Sequence, residues 1–378
     1  MSESQSFASA ITGTGLWIPE HSIGNAELVA SHAAAIAEFN RDHAERIERG
    51  EVESRDATSE RFIIKASGIE RRYVIDKDGI LDPKRQRPHL PTRSEDEVSL
   101  QAEICIEAAN EALLQAGRKP SEIDAVLVAC SNLQRAYPAV AIEVQDALGA
   151  AGYAYDLNVA CSSATFGIQA GVDAIANGSA RVVLVLNPEL TSGHNNFELR
   201  DYHFIFGDAC TAVVLERRDE CNADDAFEIL STRLATKYSN NIRNDFGFLN
   251  RSEASPRAPE ELVFRQNGRM VFREVCPLVA EHIGSHLEAE GCTATDLKRM
   301  WLHQANLGMN QLIAKTVLGR PAEEHESPVI LHEFANTSSA GSVIAYHRHR
   351  SDFRQGELGI LCSFGAGYSI GSVLLRRL

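Results

Sequence analysis

The sequence has no cysteine pair at CxxC spacing, no long apolar run and no excess of basic residues. Eight scattered cysteines without such a pair argue against a structural zinc site and favour reduced thiols packed as small hydrophobic residues. No apolar run approaches the roughly 20 residues that span a bilayer. The start, MSESQSFASA, lacks the basic flank and apolar centre of a signal peptide. We therefore expect a cytoplasmic protein without a membrane span.

The charge balance is acidic, with 37 Lys and Arg against 52 Asp and Glu and a net charge of −15. Nucleic acid is therefore disfavoured as a partner, and an acidic partner would need a local basic patch. His282 and His286 lie four residues apart, but HIGSH lacks the glutamate of the metalloprotease HExxH motif. A structural role is favoured for both histidines, and we predict neither a metal nor a cofactor.

Short apolar segments predict strands at residues 124–131 (DAVLVACS) and 181–189 (RVVLVLNPE), with helical patterns between them. This alternation predicts α/β layering. The order recurs later: RMWLH predicts a strand before a helix, HEFAN predicts a strand before another helix, and the C-terminal residues predict two strands.

An internal duplication is indicated by two matches in the same order. NVACSSATFGIQ resembles EFANTSSAGSVI, which places Cys161 opposite Asn336, and residues 205–217 resemble residues 363–376. The period of roughly 165 residues far exceeds that of solenoid repeats. Residues 32–59, which are rich in charge and partly helical in pattern, and 76–97, which predict a long loop, stand outside the duplication.

Cys161 directly precedes a predicted helix, whose first turn suits Ser162 and Ser163 and whose end suits Gly178. A helix N-terminus favours an anion, so we expect this thiol to ionise more readily than a free cysteine. Gly167 and Gly171 predict that another backbone packs closely against the helix. We therefore interpret Cys161 as a nucleophile.

Two further polar residues follow predicted strands, His303 after MWL and Asn336 after LHEFA. Strand ends converge at one edge of an α/β sheet, so residues far apart in the chain can form one catalytic set. The sequence therefore predicts that Cys161, His303 and Asn336 lie together.

The motifs VACSSATFG, LHQAN, FANTSSAGS and FGAGYSIGS together resemble β-ketoacyl-acyl-carrier-protein synthase III, a thiolase-fold condensing enzyme, over nearly the whole chain. The resemblance implies two duplicated βαβαβ halves in a five-layer αβαβα arrangement. Residues 1–217 would form the half with Cys161 and insertions at about 32–97, and residues 218–378 the half with His303 and Asn336.

The resemblance also implies a mechanism. Cys161 would accept an acyl group from acyl-coenzyme A, and His303 and Asn336 would stabilise the enolate formed when malonyl-acyl-carrier protein loses CO₂. The enolate would attack the acyl group and give a 3-oxoacyl product of fatty acid biosynthesis. The amides of Cys161 and Ala366 would hold the tetrahedral oxyanion. No cofactor is implied, and a homodimer is expected.

Substrate contacts are also implied by the resemblance, although two family arginines are absent, with Ala66 and Gly308 at their positions. The implied positions fall into three groups: coenzyme A binding at Phe62, Lys65 and Asn306; an acyl tunnel at Tyr137 and Phe206; and carrier-protein docking at Lys315, Arg265, Arg269 and Arg273. The three arginines lie at i, i+4 and i+8 and would form a basic stripe on one helix. Tyr137 and the two insertions favour the branch that accepts medium-chain primers such as octanoyl thioesters.

Three alternatives remain. A thiolase-superfamily relative could transfer the acyl group to an alcohol or join two acyl chains without malonyl decarboxylation. A cysteine hydrolase also uses Cys, His and Asn in this order, but the strand–thiol–helix layout disfavours it. A non-catalytic partner subunit would be expected to lack the thiol.

Overall fold

The computed structural model describes residues 7–378, which form thirteen strands and eleven α-helices. The strands are β1 (Ser9–Trp17), β2 (His21–Gly24), β3 (Arg71–Val74), β4 (Ala125–Ala129), β5 (Tyr153–Leu157), β6 (Val182–Glu189), β7 (Ala209–Arg217), β8 (Phe227–Thr236), β9 (Ile242–Arg243), β10 (Arg265–Gln266), β11 (Leu297–Leu302), β12 (Leu358–Gly365) and β13 (Ser369–Arg377). The helices are α1 (Asn25–Asp42), α2 (Ala44–Glu48), α3 (Glu60–Ser67), α4 (Lys77–Leu81), α5 (Leu100–Ala116), α6 (Val140–Leu148), α7 (Ser163–Ala176), α8 (Gly268–Ala289), α9 (Leu307–Leu318), α10 (Leu331–Phe334) and α11 (Ala340–Arg348).

Nine strands form one mixed sheet in the order β11-β12-β13-β8-β1-β7-β6-β4-β5. The run β1-β7-β6-β4 repeats as β8-β13-β12-β11. In each run the first two pairings are antiparallel and the last is parallel. The two runs join where the start of β1 pairs with β8. The duplication predicted from the sequence is therefore present in the strand order.

The two strand runs and the helices that pack against them form five layers. Helices α7 and α11 lie in the middle, because each contacts strands of both runs. Helices α5 and α6 cover the outer face of the first run, and α8 covers β12 and β13 on the opposite side with α9 packed against it. Separate apolar cores fill the central layer and each outer interface. The predicted αβαβα arrangement is confirmed.

The central helix α7 packs closely at its two glycines, but against side chains of the sheet, so the prediction that another backbone lies there is wrong. A Cβ at Gly167 would lie 2.8 Å from Val185 Cγ1, and one at Gly171 would lie 2.5 Å from Leu215 Cδ1. Both distances are shorter than a carbon–carbon contact allows, so only glycine lets α7 lie this close to β6 and β7. This packing fixes the position of the N-terminal end of α7, where Cys161 lies.

One local prediction is wrong. The segment before Asn336 is the short helix α10 and not a strand, because Leu331 and Phe334 lie one helical turn apart and are both fully buried. The insertions match their predictions: residues 32–59 contain the end of α1 and all of α2, and residues 76–97 form a long loop after the single turn of α4. Within residues 7–378, no helix is both long and apolar enough to cross a membrane.

His282 and His286 lie on one buried face of α8. His282 Nε2 is 3.0 Å and His286 Nδ1 is 2.7 Å from the hydroxyl of Ser372. Both imidazoles thereby connect α8 to β13, which is a structural use of the pair.

Candidate active site

A cavity of about 920 Å³ opens between the two halves of the molecule. Cys161, His303 and Asn336 all line it, although up to 175 residues of chain separate them. The structure therefore brings together the three residues that the sequence singled out. Their shared cavity is the candidate active site.

Cys161 lies in a strained turn just before α7. Ala160 has φ = 47°, a left-handed conformation that costs a non-glycine residue about 1–2 kcal/mol. The turn is held by Asn158 Oδ1, which accepts from Ala160 N–H at 2.9 Å. The duplicated position repeats this feature, because Ala335, with φ = 56°, directly precedes Asn336. Strain of this kind concentrates at functional sites, and here it occurs at both halves of one site.

The electrostatics of Cys161 differ from the prediction. Burial raises the pKa of its thiol to about 11, although the Ser338 hydroxyl and the amides of Cys161 and Ala366 act in the opposite direction. The expectation that this thiol ionises more readily than a free cysteine is therefore wrong, because the cost of desolvating the thiolate exceeds the stabilisation at the helix N-terminus. Cys161 is thus a thiol at neutral pH.

This pKa predicts how Cys161 reacts with iodoacetamide. The thiolate is the nucleophile, so the alkylation rate of Cys161 should rise about tenfold per pH unit between pH 7 and 10. Peptide mapping would separate Cys161 from Cys221 and Cys292, which are also partly exposed. A rate that is already constant above pH 8 would contradict this assignment.

His303 directly follows β11 and is 2% exposed. Its backbone N–H donates to the Cys362 carbonyl at 2.8 Å, and the Phe364 ring meets its imidazole edge to face at 5.1 Å. Burial lowers the pKa of His303 to about 4, partly offset by the Ser338 backbone. The imidazole is therefore neutral at pH 7 and can donate one N–H.

The backbone N–H and the backbone carbonyl of Asn336 both form hydrogen bonds. Its N–H donates to the Ile205 carbonyl at 3.0 Å, and its carbonyl accepts from Gly207 N–H at 3.2 Å. Its side-chain Oδ1 accepts from Ser338 N–H at 2.9 Å. Since this bond occupies the amide oxygen, the Nδ2 amide remains as the hydrogen-bond donor of the side chain.

Ser338 is a site residue that the sequence did not reveal. Its hydroxyl donates to the Cys161 sulfur at 3.4 Å, and its φ is 49°. The sequence NTSSAGS does not indicate a contact between Ser338 and the thiol. The contact depends on the strained turn after Asn336, for which serine gives no signal.

The predicted oxyanion donors lie next to the sulfur. Ala366 follows Gly365, where a Cβ would lie 2.7 Å from Cys161 Cβ and 2.9 Å from Cys161 N. Glycine at this position therefore allows the end of β12 to reach Cys161. The amides of both Cys161 and Ala366 act to lower the pKa of the Cys161 thiol.

The cavity lining also includes the predicted coenzyme A positions Phe62, Lys65 and Asn306. The Arg200 guanidinium, which the sequence did not reveal, lies 4.2 Å above the Phe62 ring. Asn306 already has local partners: its Nδ2 donates to the Ala66 carbonyl at 2.7 Å and its Oδ1 accepts from Gly308 N–H at 2.9 Å. Its side chain therefore caps α9 and connects that helix to α3.

The predicted basic stripe is only partly on a helix. Helix α8 starts at Gly268 after the cap Asn267, so Arg269 and Arg273 lie on it, whereas Arg265 belongs to β10 and pairs with Asp245. The prediction of one helical stripe is wrong for Arg265, because Asn267 Oδ1 accepts from Met270 N–H and begins the helix there. Arg269 lines the cavity, and Arg273 and Lys315 are exposed.

The two predicted tunnel residues lie in different settings. Phe206 is 2% exposed, lines the cavity and packs edge to face on Phe264 at 4.7 Å. Tyr137 is 85% exposed and is not among the residues that line the cavity. Only Phe206 therefore belongs to the cavity of a single chain.

Comparisons with known proteins agree with this geometry. Residues 155–237 match the family model "3-Oxoacyl-[acyl-carrier-protein (ACP)] synthase III", and residues 287–377 match the model of its C-terminal part. A β-ketodecanoyl-[acyl-carrier-protein] synthase of Pseudomonas aeruginosa is 59% identical over 90% of this chain and 98% of its own. A β-ketoacyl-[acyl-carrier-protein] synthase III of Granulibacter bethesdensis is 31% identical over 97% and 99%. The crystal structure of the 3-oxoacyl-[acyl-carrier-protein] synthase III of Aquifex aeolicus, at 25% identity, covers 97% of this chain and 99% of its own with a TM-score of 0.74.

Duplicated halves around a cavity lined by a cysteine, a histidine and an asparagine define a thiolase-fold condensing enzyme, which is an acyltransferase. Within that class, the chain belongs to the 3-oxoacyl-[acyl-carrier-protein] synthase III family. The resemblance stated from the sequence motifs is thereby confirmed.

Proposed function

We propose that the chain condenses a medium-chain acyl primer with malonyl-acyl-carrier protein through an acyl-Cys161 intermediate. The observation that carries this proposal is the convergence of a thiol, a neutral imidazole and an amide donor in one cavity. Neutral donors suit an enolate, because they stabilise negative charge that forms in the transition state.

In the first step, the Cys161 sulfur forms a bond to the acyl carbonyl carbon. The bond to the coenzyme A sulfur breaks, and coenzyme A leaves as a thiol with the proton from Cys161. The amides of Cys161 and Ala366 stabilise the tetrahedral oxyanion. Proton transfer must accompany the attack, because the Cys161 thiol is protonated at neutral pH.

In the second step, the carbon–carbon bond to the malonyl carboxylate breaks and CO₂ leaves. The electron pair becomes an enolate whose oxygen accepts hydrogen bonds from His303 and the Asn336 amide. The enolate carbon then attacks the acyl carbonyl on Cys161. A new carbon–carbon bond forms, the carbon–sulfur bond breaks, and the Cys161 thiolate takes up one proton from water.

The primer length is inferred from the chain's similarity to the Pseudomonas aeruginosa relative, which is described as a β-ketodecanoyl synthase. A ten-carbon product contains two carbons of malonyl origin, so the corresponding primer is octanoyl. Phe206 and the apolar side chains near it provide a wall for such a chain.

We predict that octanoyl-coenzyme A loads Cys161 at least about tenfold faster than acetyl-coenzyme A, because each buried CH₂ contributes about 0.8 kcal/mol. Intact mass after incubation with a ladder of acyl-coenzyme A thioesters reads the loaded chain directly. Radiolabelled malonyl-carrier protein should then release CO₂ and give 3-oxodecanoyl-carrier protein. If acyl-Cys161 forms without CO₂ release, the function is acyl transfer or non-decarboxylative joining instead.

The basic residues around the cavity suggest where coenzyme A and the carrier protein bind. Lys65 and Arg269 line it, and Arg200 lies over Phe62, where an aromatic ring and a guanidinium offer a stacking site for the adenine of coenzyme A. We assign coenzyme A binding to Phe62, Lys65 and Asn306. We assign docking of the acidic carrier protein to Arg269, Arg273 and Lys315, with Arg265 contributing through its pair with Asp245.

A homodimer fits the edge of the sheet. Strand β5 is an edge strand, and Tyr153 and Tyr155 on it are 38% and 40% exposed with parallel rings. An edge strand with exposed aromatic residues is suited to pairing with a second copy. The exposed Tyr137 would then enter the acyl tunnel of the partner.

We further propose that residues 1–217 and 218–378 are the two units of the duplication, since β7 ends at Arg217 and β8 begins at Phe227. All eight cysteines are free thiols, which fits an enzyme of the reducing cytoplasm.

A further inference from the structure

Glu189 is a buried carboxylate that the proposed mechanism does not use. It ends β6 and is 1% exposed. Its Oε1 accepts from Ser131 N–H at 3.0 Å, from Ser339 N–H at 3.2 Å and from the Ser339 hydroxyl. Its Oε2 accepts from the Ser131 hydroxyl at 2.5 Å. A buried carboxylate with this many donors forms a rigid connection between the segments that supply them.

These segments belong to different halves of the molecule. Ser131 follows β4 in the first half, and Ser339 is the cap residue of α11 in the second half. Ser339 comes directly after Ser338, whose hydroxyl contacts the Cys161 sulfur, and three residues after Asn336. Glu189 therefore holds the end of the strained turn that carries both groups.

The pairing register of the two strand runs gives this position a counterpart. Glu189 pairs with Ala209 at the start of β7, and Gly365 pairs with Ser369 at the start of β13. Gly365 reaches across and packs against Cys161, at the turn before α7. By the same register, Glu189 reaches across to the turn before α11. Each half thus supports the active-site turn of the other half, one by close packing and one by a carboxylate.

We propose that Glu189 is a positioning residue that fixes the turn from Asn336 to Ser339 so that Asn336 and Ser338 face Cys161. The proposal rests on the proposed function, because it needs Cys161 as the nucleophile. Its effect reaches the substrate only through Asn336 and Ser338. A misplacement of about 1 Å in such groups can lower the rate about 100-fold.

Two substitutions distinguish the effect of the hydrogen bonds of Glu189 from the effect of its negative charge. Glu189→Gln keeps Oε1 as an acceptor, and its Nε2 can donate to the Ser131 hydroxyl oxygen, which already accepts from Asn132 at 3.1 Å. Glu189→Ala removes the whole connection. The negative charge of Glu189 also raises the pKa of the Cys161 thiol, so its removal should favour the thiolate. His303 is neutral at pH 7 and does not counteract this change.

The experiment measures condensation of octanoyl-coenzyme A with malonyl-carrier protein and the pH profile of Cys161 alkylation for each full-length variant. We expect Glu189→Ala to lower kcat about 100-fold, and Glu189→Gln to keep kcat within about fivefold while moving the alkylation profile to lower pH. Glu216→Gln is the matched control, because Glu216 is also 1% exposed but lies at the opposite end of the β6–β7 pair. It should leave the alkylation profile unchanged.

Two results would overturn the proposal: folded Glu189→Ala with more than half of the wild-type kcat, or Glu189→Gln that loses as much kcat as Glu189→Ala. If Glu189→Ala does not fold, a kcat of Glu189→Gln more than fivefold below that of the wild type overturns the proposal. Failure of the proposed function is a separate outcome, because the wild-type chain itself would then give no condensation product.

Discussion

Cys161→Ala is expected to lower condensation by at least about a thousandfold, since the acyl group then has no sulfur to form a thioester with. The same variant should still release CO₂ from malonyl-carrier protein. His303 and Asn336 remain in the cavity, and their donors act on the malonyl thioester rather than on the acyl group. Loss of condensation with retention of CO₂ release would show that Cys161 is needed for transfer of the acyl group but not for decarboxylation.

Both activities can be measured on the same preparation. Intact mass detects the octanoyl adduct, radiolabelled CO₂ reports decarboxylation, and product analysis detects the 3-oxoacyl chain. Cys292→Ala is the control, because Cys292 is another partly exposed thiol and does not line the cavity. An octanoyl adduct that persists in Cys161→Ala would place the nucleophile elsewhere.

The sequence predicted that Cys161, His303 and Asn336 lie together because each of them stands in a local pattern that the folded chain keeps. Cys161 stands between a strand and a helix, His303 follows an apolar strand, and Asn336 matches Cys161 through the duplication. The glycines of α7 likewise indicated a close contact, although side chains of the sheet make it and not another backbone. Periodicity and chain order are local properties, so they can be read without knowing which segments meet.

The sequence did not predict the features of the site that depend on contacts between residues far apart in the chain. The pKa of Cys161 depends on how completely the rest of the chain removes water from the thiol, which the helix start alone does not show. Ser338 contacts the sulfur only through its left-handed backbone, and Glu189 meets Ser339 across 150 residues. The segment before Asn336 was interpreted as a strand because a short apolar run fits either a strand or a single buried turn of helix.

Asn336→Asp is expected to slow condensation about 100- to 1000-fold, which is the usual cost of removing one donor from an oxyanion site. The substitution keeps Oδ1, which accepts from Ser338 N–H at 2.9 Å, and so keeps the turn. It replaces the Nδ2 donor with an oxygen that repels the enolate. A preformed octanoyl-Cys161 enzyme should be used in single-turnover experiments, so that a slower acylation does not enter the measured rate.

Asn177→Asp provides a control with the same chemistry away from the cavity, at the C-terminal end of the other central helix, α7. Asn177 caps the C-terminal end of α7, and its Oδ1 accepts from Ser179 N–H at 2.9 Å, the same local geometry as at Asn336. This variant should condense at the wild-type rate. If Asn336→Asp also did so, the enolate would not depend on the amide, and His303 would have to stabilise it alone. A selective loss would instead show that the half of the duplication without the thiol supplies the donor for the second step.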